Sequence, residues 1–176
     1  MELIEKKISS KVVFDGRLLH VTSDTVVLPN GNETTREVIW HNGAVCIVAF
    51  DEDDNVYMVK QFRYPFNRVI LEVPAGKIDQ GETPDEAAKR ELEEEIGMTA
   101  TTLVPIGEFY PSVAYTTEII YMYIATGLKK SSQNLDEDEF LNVEKYNFNT
   151  VCNMIMQNEI GDGKTISAIL KAKLLK

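Results

Sequence analysis

Residues 83–97 constrain this chain more than any other stretch, because they specify both a helix and the chemistry of one of its faces. Thr83 suits an N-cap, Pro84 the first helical position, Glu86 the far side of a capping box, and Gly97 the stop, so the spacing predicts a helix over 84–96. Ala88, Leu92 and Ile96 recur at i, i+4 and i+8 as an apolar stripe. Beside it, Glu91, Glu94 and Glu95 lie three and four residues apart, which projects their carboxylates from one side within a turn of each other. Like charges so placed cost a helix about 0.2 to 0.5 kcal/mol per pair, and more where water is excluded. A hard divalent cation relieves that repulsion and prefers oxygen ligands. Glu93-Glu94-Glu95 alone would read as an ordinary solvated surface, but here the acidic face borders the core and lines a cleft. Arg90, one turn before Glu94, is placed to orient the carboxylates through its guanidinium fork.

Around this helix the chain reads as strands with few helices. Residues 11–14, 18–22, 25–28 and 36–40 form a short β-rich meander with turns at 15–16 and 29–32. Such a meander makes no core of its own and is expected to dock on the main domain or on a second subunit. The apolar run 44–49 predicts a strand covered on both faces, followed by a hairpin turn at 51–55. Strands are expected at 56–62 and 69–73, the second stopped by Pro74-Ala75-Gly76 and followed by a loop through Gly81. Further strands near 103–109, 118–126 and 140–146, an acidic loop over 129–139, and helices near 150–158 and 164–175 complete the pattern. The expected class is α/β, a mixed β-sheet sandwiched between helices over residues 42–176, with a small N-terminal β-arm over 1–41.

Charge and composition narrow the partners. A net charge of −10 disfavours polymeric nucleic acid, whose binders present a basic face. No stretch is long and apolar enough for a membrane span, and the first residues lack the apolar centre of a signal peptide. Cys46 and Cys152 sit inside apolar runs, which suits buried free thiols and a cytoplasmic protein.

From Gly76 the spacing runs five residues to Glu82, seven to Arg90-Glu91-Leu92, one to Glu94-Glu95, and one to Gly97-Met98. In that spacing the chain resembles the Nudix hydrolase family at every position of its box. The resemblance implies the Nudix fold and cleavage of a nucleoside diphosphate linked to another moiety, using Mg2+ or Mn2+. It implies Glu91 and Glu95 as main metal ligands, Glu94 and the carbonyl of Ala75 as further ones, and structural support from Gly76, Glu82, Arg90 and Gly97. Metals of this kind neutralise the diphosphate, position phosphorus and acidify water, and a carboxylate base takes the proton.

Flanking segments are similar to the ADP-ribose pyrophosphatase subgroup: Gly43-Ala44-Val45, Gln61-Phe62-Arg63-Tyr64-Pro65, Leu71-Glu72-Val73-Pro74-Ala75-Gly76-Lys77-Ile78-Asp79, Phe109-Tyr110-Pro111-Ser112 and Asp136-Glu137-Asp138-Glu139-Phe140. By that likeness Arg63 contacts the diphosphate or terminal ribose, and Arg36 and Glu37 help bind the nucleotide half. Trp40 is a candidate to stack on adenine, though a lone tryptophan at a strand end also suits core or interface. Either Glu137 or Glu139 supplies the general base, with Glu137 preferred. Val113-Ala114 stand where relatives commonly carry Pro-Gly, so GDP-mannose stays open beside ADP-ribose, as do nucleoside triphosphates and dinucleoside polyphosphates. A binding module that has lost catalysis would show eroded glutamates, and none is missing. The likeness also implies a homodimer that exchanges its arms.

Overall fold

A computed structural model describes residues 3–135, 137 and 139–176; Asp136 and Asp138 of the acidic segment lie outside them. The described chain forms two compact units. The first runs to Gly43 and takes in Ser112–Glu118; the second comprises Ala44–Pro111 and Ile119–Lys176.

Three antiparallel strands make the first unit: β1 (Lys6–Asp15), β2 (His20–Val27) and β3 (Glu33–Trp40), in spatial order β1-β2-β3. The two short strands expected at 18–22 and 25–28 are one strand. Ser23 and Asp24 are turn-forming residue types, but both pair on either side, with β1 and with β3, and Asp24 is buried within the ladder, where Ser10 donates to it at 2.5 Å. Every residue of β1 is exposed, including Ile8, Val12 and Phe14.

The second unit is built on β4 (Ala44–Ala49), whose six residues are all buried. It pairs in parallel with β9 (Ile120–Lys130), β9 pairs with β8 (Met98–Phe109), and the other edge of β4 takes β7 (Ala75–Lys77), giving a mixed sheet β7-β4-β9-β8. A second sheet has the order β10-β5-β6, from β5 (Asn55–Arg63), β6 (Arg68–Glu72) and β10 (Leu141–Asn147). Alternate residues of β4 point to opposite faces. Val45, Ile47 and Ala49 pack with Ala88, Leu92 and Ile96 of α1 (Pro84–Ile96). Cys46 and Val48 pack with Val151, Cys152 and Ile155 of α2 (Phe148–Met156) and with Ala168, Ile169 and Ala172 of α3 (Gly163–Leu175). The sheet is thus sandwiched between helices, as expected.

The α1 boundaries match the sequence reading. Thr83 and Glu86 form the reciprocal capping box, and Gly97 ends the helix in the left-handed conformation at φ 64°. Other boundaries differ: β1 and β3 begin at Lys6 and Glu33 rather than near 11 and 36, and α2 begins at Phe148 rather than near 150. The segment expected as loop after Pro74 contains β7, because the free edge of β4 accepts it as a partner. β8 and β9 run several residues beyond the expected ends, since Thr99 and Thr102 favour extended backbone and pair across to Lys129 and Thr126, and the Thr101 hydroxyl donates to the Gly127 carbonyl at 2.9 Å. The acidic loop therefore begins at Ser131.

Candidate active site

β7 brings Ala75 and Gly76 alongside α1, with Gly76 opposite Val45 and Ala75 opposite Cys46 in the ladder to β4. Glu91 and Glu95 occupy the inner side of the helix, 8% and 2% exposed, while Glu94 is half-buried. Position 76 requires glycine for space, because a Cβ there would overlap the Glu91 carboxyl group. The obstacle is the far end of a flexible side chain, so Gly76→Ala is expected to displace Glu91 and keep the fold. Mg2+ affinity should fall about ten- to a hundredfold, the size of effect seen when a ligand's support is disturbed. Calorimetric titration checks this, and unchanged affinity would refute the packing argument.

Glu95 accepts a hydrogen bond from the Ala75 backbone N–H at 2.8 Å. Burial pushes its carboxyl up; that bond works against burial, and the negative charges of Glu91 and Glu139 reinforce it, leaving Glu95 at about 8. Burial also pushes Glu91 up, opposed by Arg90 and aided by Glu94 and Glu139. Ionising this pair without a cation therefore opposes folding. A carboxyl raised from about 4.5 to about 8 contributes stability that is complete below the lower value and lost as pH climbs through the higher. The metal-free protein should lose thermal stability between about pH 5 and pH 8, and Mg2+ should flatten that loss. Melting curves in chelator and in Mg2+ test it; parallel curves would contradict it.

Arg90 holds the outer side of the cluster. Its Nη1 donates to Glu91 at 2.7 Å and Glu94 at 2.9 Å, and its Nε and Nη2 donate to Glu82 at 2.9 and 2.8 Å. Nη2 also reaches the Lys77 carbonyl at 2.9 Å. Glu82 in turn accepts from the Asp79 N–H at 3.0 Å, and Arg90 first among its partners holds its carboxyl below the usual range. Arg90 and Glu82 thus tie the loop to the helix. Among the described residues, no three acidic, histidine or cysteine side chains already surround one cation-sized point. The chemistry nevertheless fits a hard cation: an all-oxygen donor set whose innermost member carries charge at a cost. Glu91 and Glu94 would turn from Arg90 toward it.

Of the two candidate bases, Glu139 is half-buried and near enough for its charge to bear on both Glu91 and Glu95, whereas Glu137 is exposed. The start of their loop is fastened to the end of α1. Ser131 N–H donates to the Gly97 carbonyl at 2.7 Å, Gln133 Nε2 to the Glu95 carbonyl at 2.6 Å, and Asn134 N–H to the Glu94 carbonyl at 3.1 Å. Ser131 also bonds the Glu93 carboxylate. The orphan carbonyls at a helix end are thereby satisfied by the segment that leads to the acidic loop. Nothing in the sequence pattern announces that link, because a polar loop has no periodicity to read.

Arg63 places its fork on Glu72, Nε to Oε1 at 2.6 Å and Nη2 to Oε2 at 2.7 Å. Sequence reasoning overlooked Glu72, Asp162 and Lys164 as parts of this cluster. A carboxylate within the apolar strand 69–73 was the available signal, since a buried charge requires a partner.

In the first unit Arg36 and Trp40 fall on one face of β3 and Glu37 on the other, because strand side chains alternate. Arg36 is paired with Glu5 at 2.7 Å. Trp40 is 42% exposed, donates through Nε1 to Thr22 at 2.9 Å, and has Lys7 over its ring.

Comparison with known proteins places the chain in a family. Residues 40–168 match the family described as NUDIX domain, and residues 5–39 match the Nucleoside diphosphate sugar hydrolase N-terminal domain. The chain is 40% identical to an ADP-ribose pyrophosphatase of Bacillus subtilis (strain 168), over 95% of this chain and 91% of that protein. It is 38% identical to a Methanol dehydrogenase activator of Bacillus methanolicus, over 94% and 90%. A crystal structure of an ADP compounds hydrolase superposes with a TM-score of 0.90 at 24% identity, covering 99% of this chain and 96% of the other, which is a likeness of fold.

Proposed function

Because this chain belongs to the Nudix hydrolase family, in which it is a pyrophosphatase, we propose that it splits the diphosphate of a nucleoside-diphosphate sugar, with ADP-ribose as the preferred substrate. The observation that carries the reading is the buried Glu95, charged at a cost beside Glu91 and next to a backbone cradle shaped by Gly76.

On this reading Glu91, Glu94, Glu95 and the Ala75 carbonyl hold Mg2+, or Mn2+ in its place. The cation, once bound, neutralises the diphosphate and makes water more acidic. Arg90 and Glu82 fix the acidic face. Arg63 pairs with a diphosphate oxygen through its planar guanidinium. Glu139 accepts the proton of the attacking water; its reach to Glu91 and Glu95 favours it over Glu137. Water's oxygen joins one phosphorus as the bridging P–O bond breaks, and the products are AMP and ribose 5-phosphate.

Arg36, Glu37 and Trp40 are assigned to the nucleotide half, with Arg36 and Trp40 on one face of β3 and Glu37 on the other. The exposed β1, with Ile8, Val12, Val13 and Phe14 open to solvent, supports a homodimer in which a second copy covers the arm. Among the described residues no helix is long and apolar enough to cross a membrane. Two free buried cysteines support a cytoplasmic setting.

The purified protein with Mg2+ is expected to release AMP from ADP-ribose faster than nucleoside monophosphate from GDP-mannose or dGTP at one enzyme concentration. The substrate preference fails if another member of that panel is cleaved faster, and the enzymatic reading fails if none is cleaved.

A further inference from the structure

Glu72 is a carboxylate only 2% exposed, yet two cations compete for it. Arg63 takes it from the more open side, its own side chain 38% exposed, through Nε and Nη2. Lys164, 13% exposed, takes Oε2 from the buried side and shares Asp162 at 3.0 Å. Among the described residues the Arg63 Nη1 has no hydrogen-bond partner.

The first turn of α3 builds this cluster. Asp162 caps the helix, accepting from the Thr165 N–H at 3.0 Å and its hydroxyl at 2.6 Å. That hydroxyl oxygen, fully buried, accepts the Val73 N–H at 2.9 Å, so α3 is bonded to the residue that follows Glu72. Lys164 is thereby fixed beneath Glu72. Burial pushes the Glu72 carboxyl up, but Arg63 and Lys164 outweigh it and hold the group below the ordinary range.

We propose that Lys164 is the positioning residue that makes Arg63 available to the substrate: by keeping Glu72 neutralised from below, it lets the guanidinium shift from the buried carboxylate to the diphosphate. This rests on the nucleotide-sugar reading above. A buried ion pair that loses one partner leaves an uncompensated charge at severe cost. With Lys164 in place, Glu72 keeps a cation when Arg63 moves. Without it, Arg63 becomes the only counter-ion and is held on Glu72, so diphosphate must compete with a buried carboxylate for the same fork.

Lys164→Met is expected to raise KM for ADP-ribose about tenfold while kcat changes less than about twofold, the signature of lost ground-state binding. ADP-ribose binding followed by calorimetry in chelator should weaken by a similar factor, which separates the effect from metal loading. Lys164→Arg should restore most of the affinity. In a Glu72→Gln background, where no buried charge detains Arg63, Lys164→Met should have almost no further effect.

An unaltered KM and dissociation constant in Lys164→Met would overturn the proposal, as would an undiminished effect in the Glu72→Gln background. Should Lys164→Met fail to fold, the cycle between Lys164→Gln and Glu72→Gln decides instead, because Lys164→Gln also removes the cation from Glu72 and fully additive effects would contradict coupling through that carboxylate. Failure of the parent protein to cleave or bind ADP-ribose at all would remove the nucleotide-sugar reading itself, and this inference with it, a result distinguishable from failure of Lys164 alone.

Discussion

Replacing Glu95 with glutamine is expected to cut hydrolysis about a thousandfold and, in the same molecule, to stabilise the metal-free protein at mildly alkaline pH. The first effect follows from removing charge where the cation must be held; several kcal/mol of charge stabilisation correspond to about three powers of ten in rate. Glutamine keeps the shape of the side chain, and its carbonyl oxygen can still accept the Ala75 N–H that holds Glu95 at 2.8 Å. The second effect has the opposite sign because Glu95 sits at about 8, so its ionisation in the unfolded chain draws stability away as pH rises above about 4.5. An amide cannot ionise, and Glu91 is relieved of a repelling neighbour. Turnover in Mg2+ and melting temperature in chelator at about pH 8 should therefore move in opposite directions. Parental turnover would remove Glu95 from the site, and a lower melting temperature at that pH would refute the electrostatic account.

This opposition also explains how much could be read before the fold was known. α1 was legible because its capping residues, apolar stripe and acidic stripe all repeat with the helical period, and each signal is local. Gly76 was legible as a position, but its reason is tertiary: the Glu91 carboxyl group fills the space a Cβ would need. β7 was missed for a related cause. Its three residues have no periodicity of their own, and they become a strand because β4 offers an edge. The cluster of Arg63, Glu72, Asp162 and Lys164 joins residues about a hundred positions apart, a distance at which pattern carries no information. Arg63 was singled out for a ligand, and the structure gives it a protein partner first.

Glutamine at position 139 is expected to lower kcat about a hundred- to ten-thousandfold, the range for losing a general base, whereas glutamine at 137 should leave kcat within about threefold. The distinction is electrostatic. A carboxylate able to take a proton from water at the metal face must stand close enough for its charge to reach the ligands, and Glu139 raises both Glu91 and Glu95. Glu137 is exposed, and its charge is not among the leading influences on either group. The start of the loop is fastened to the Glu94 and Glu95 carbonyls at Asn134 and Gln133, which ties it to α1. Losing Mg2+ affinity instead would raise the cation concentration needed for half-maximal rate, which losing the base should leave unchanged. A large kcat loss in Glu137→Gln with a mild one in Glu139→Gln would reverse the assignment, and the anchored loop would then have to present the more exposed of its two glutamates to the attacking water.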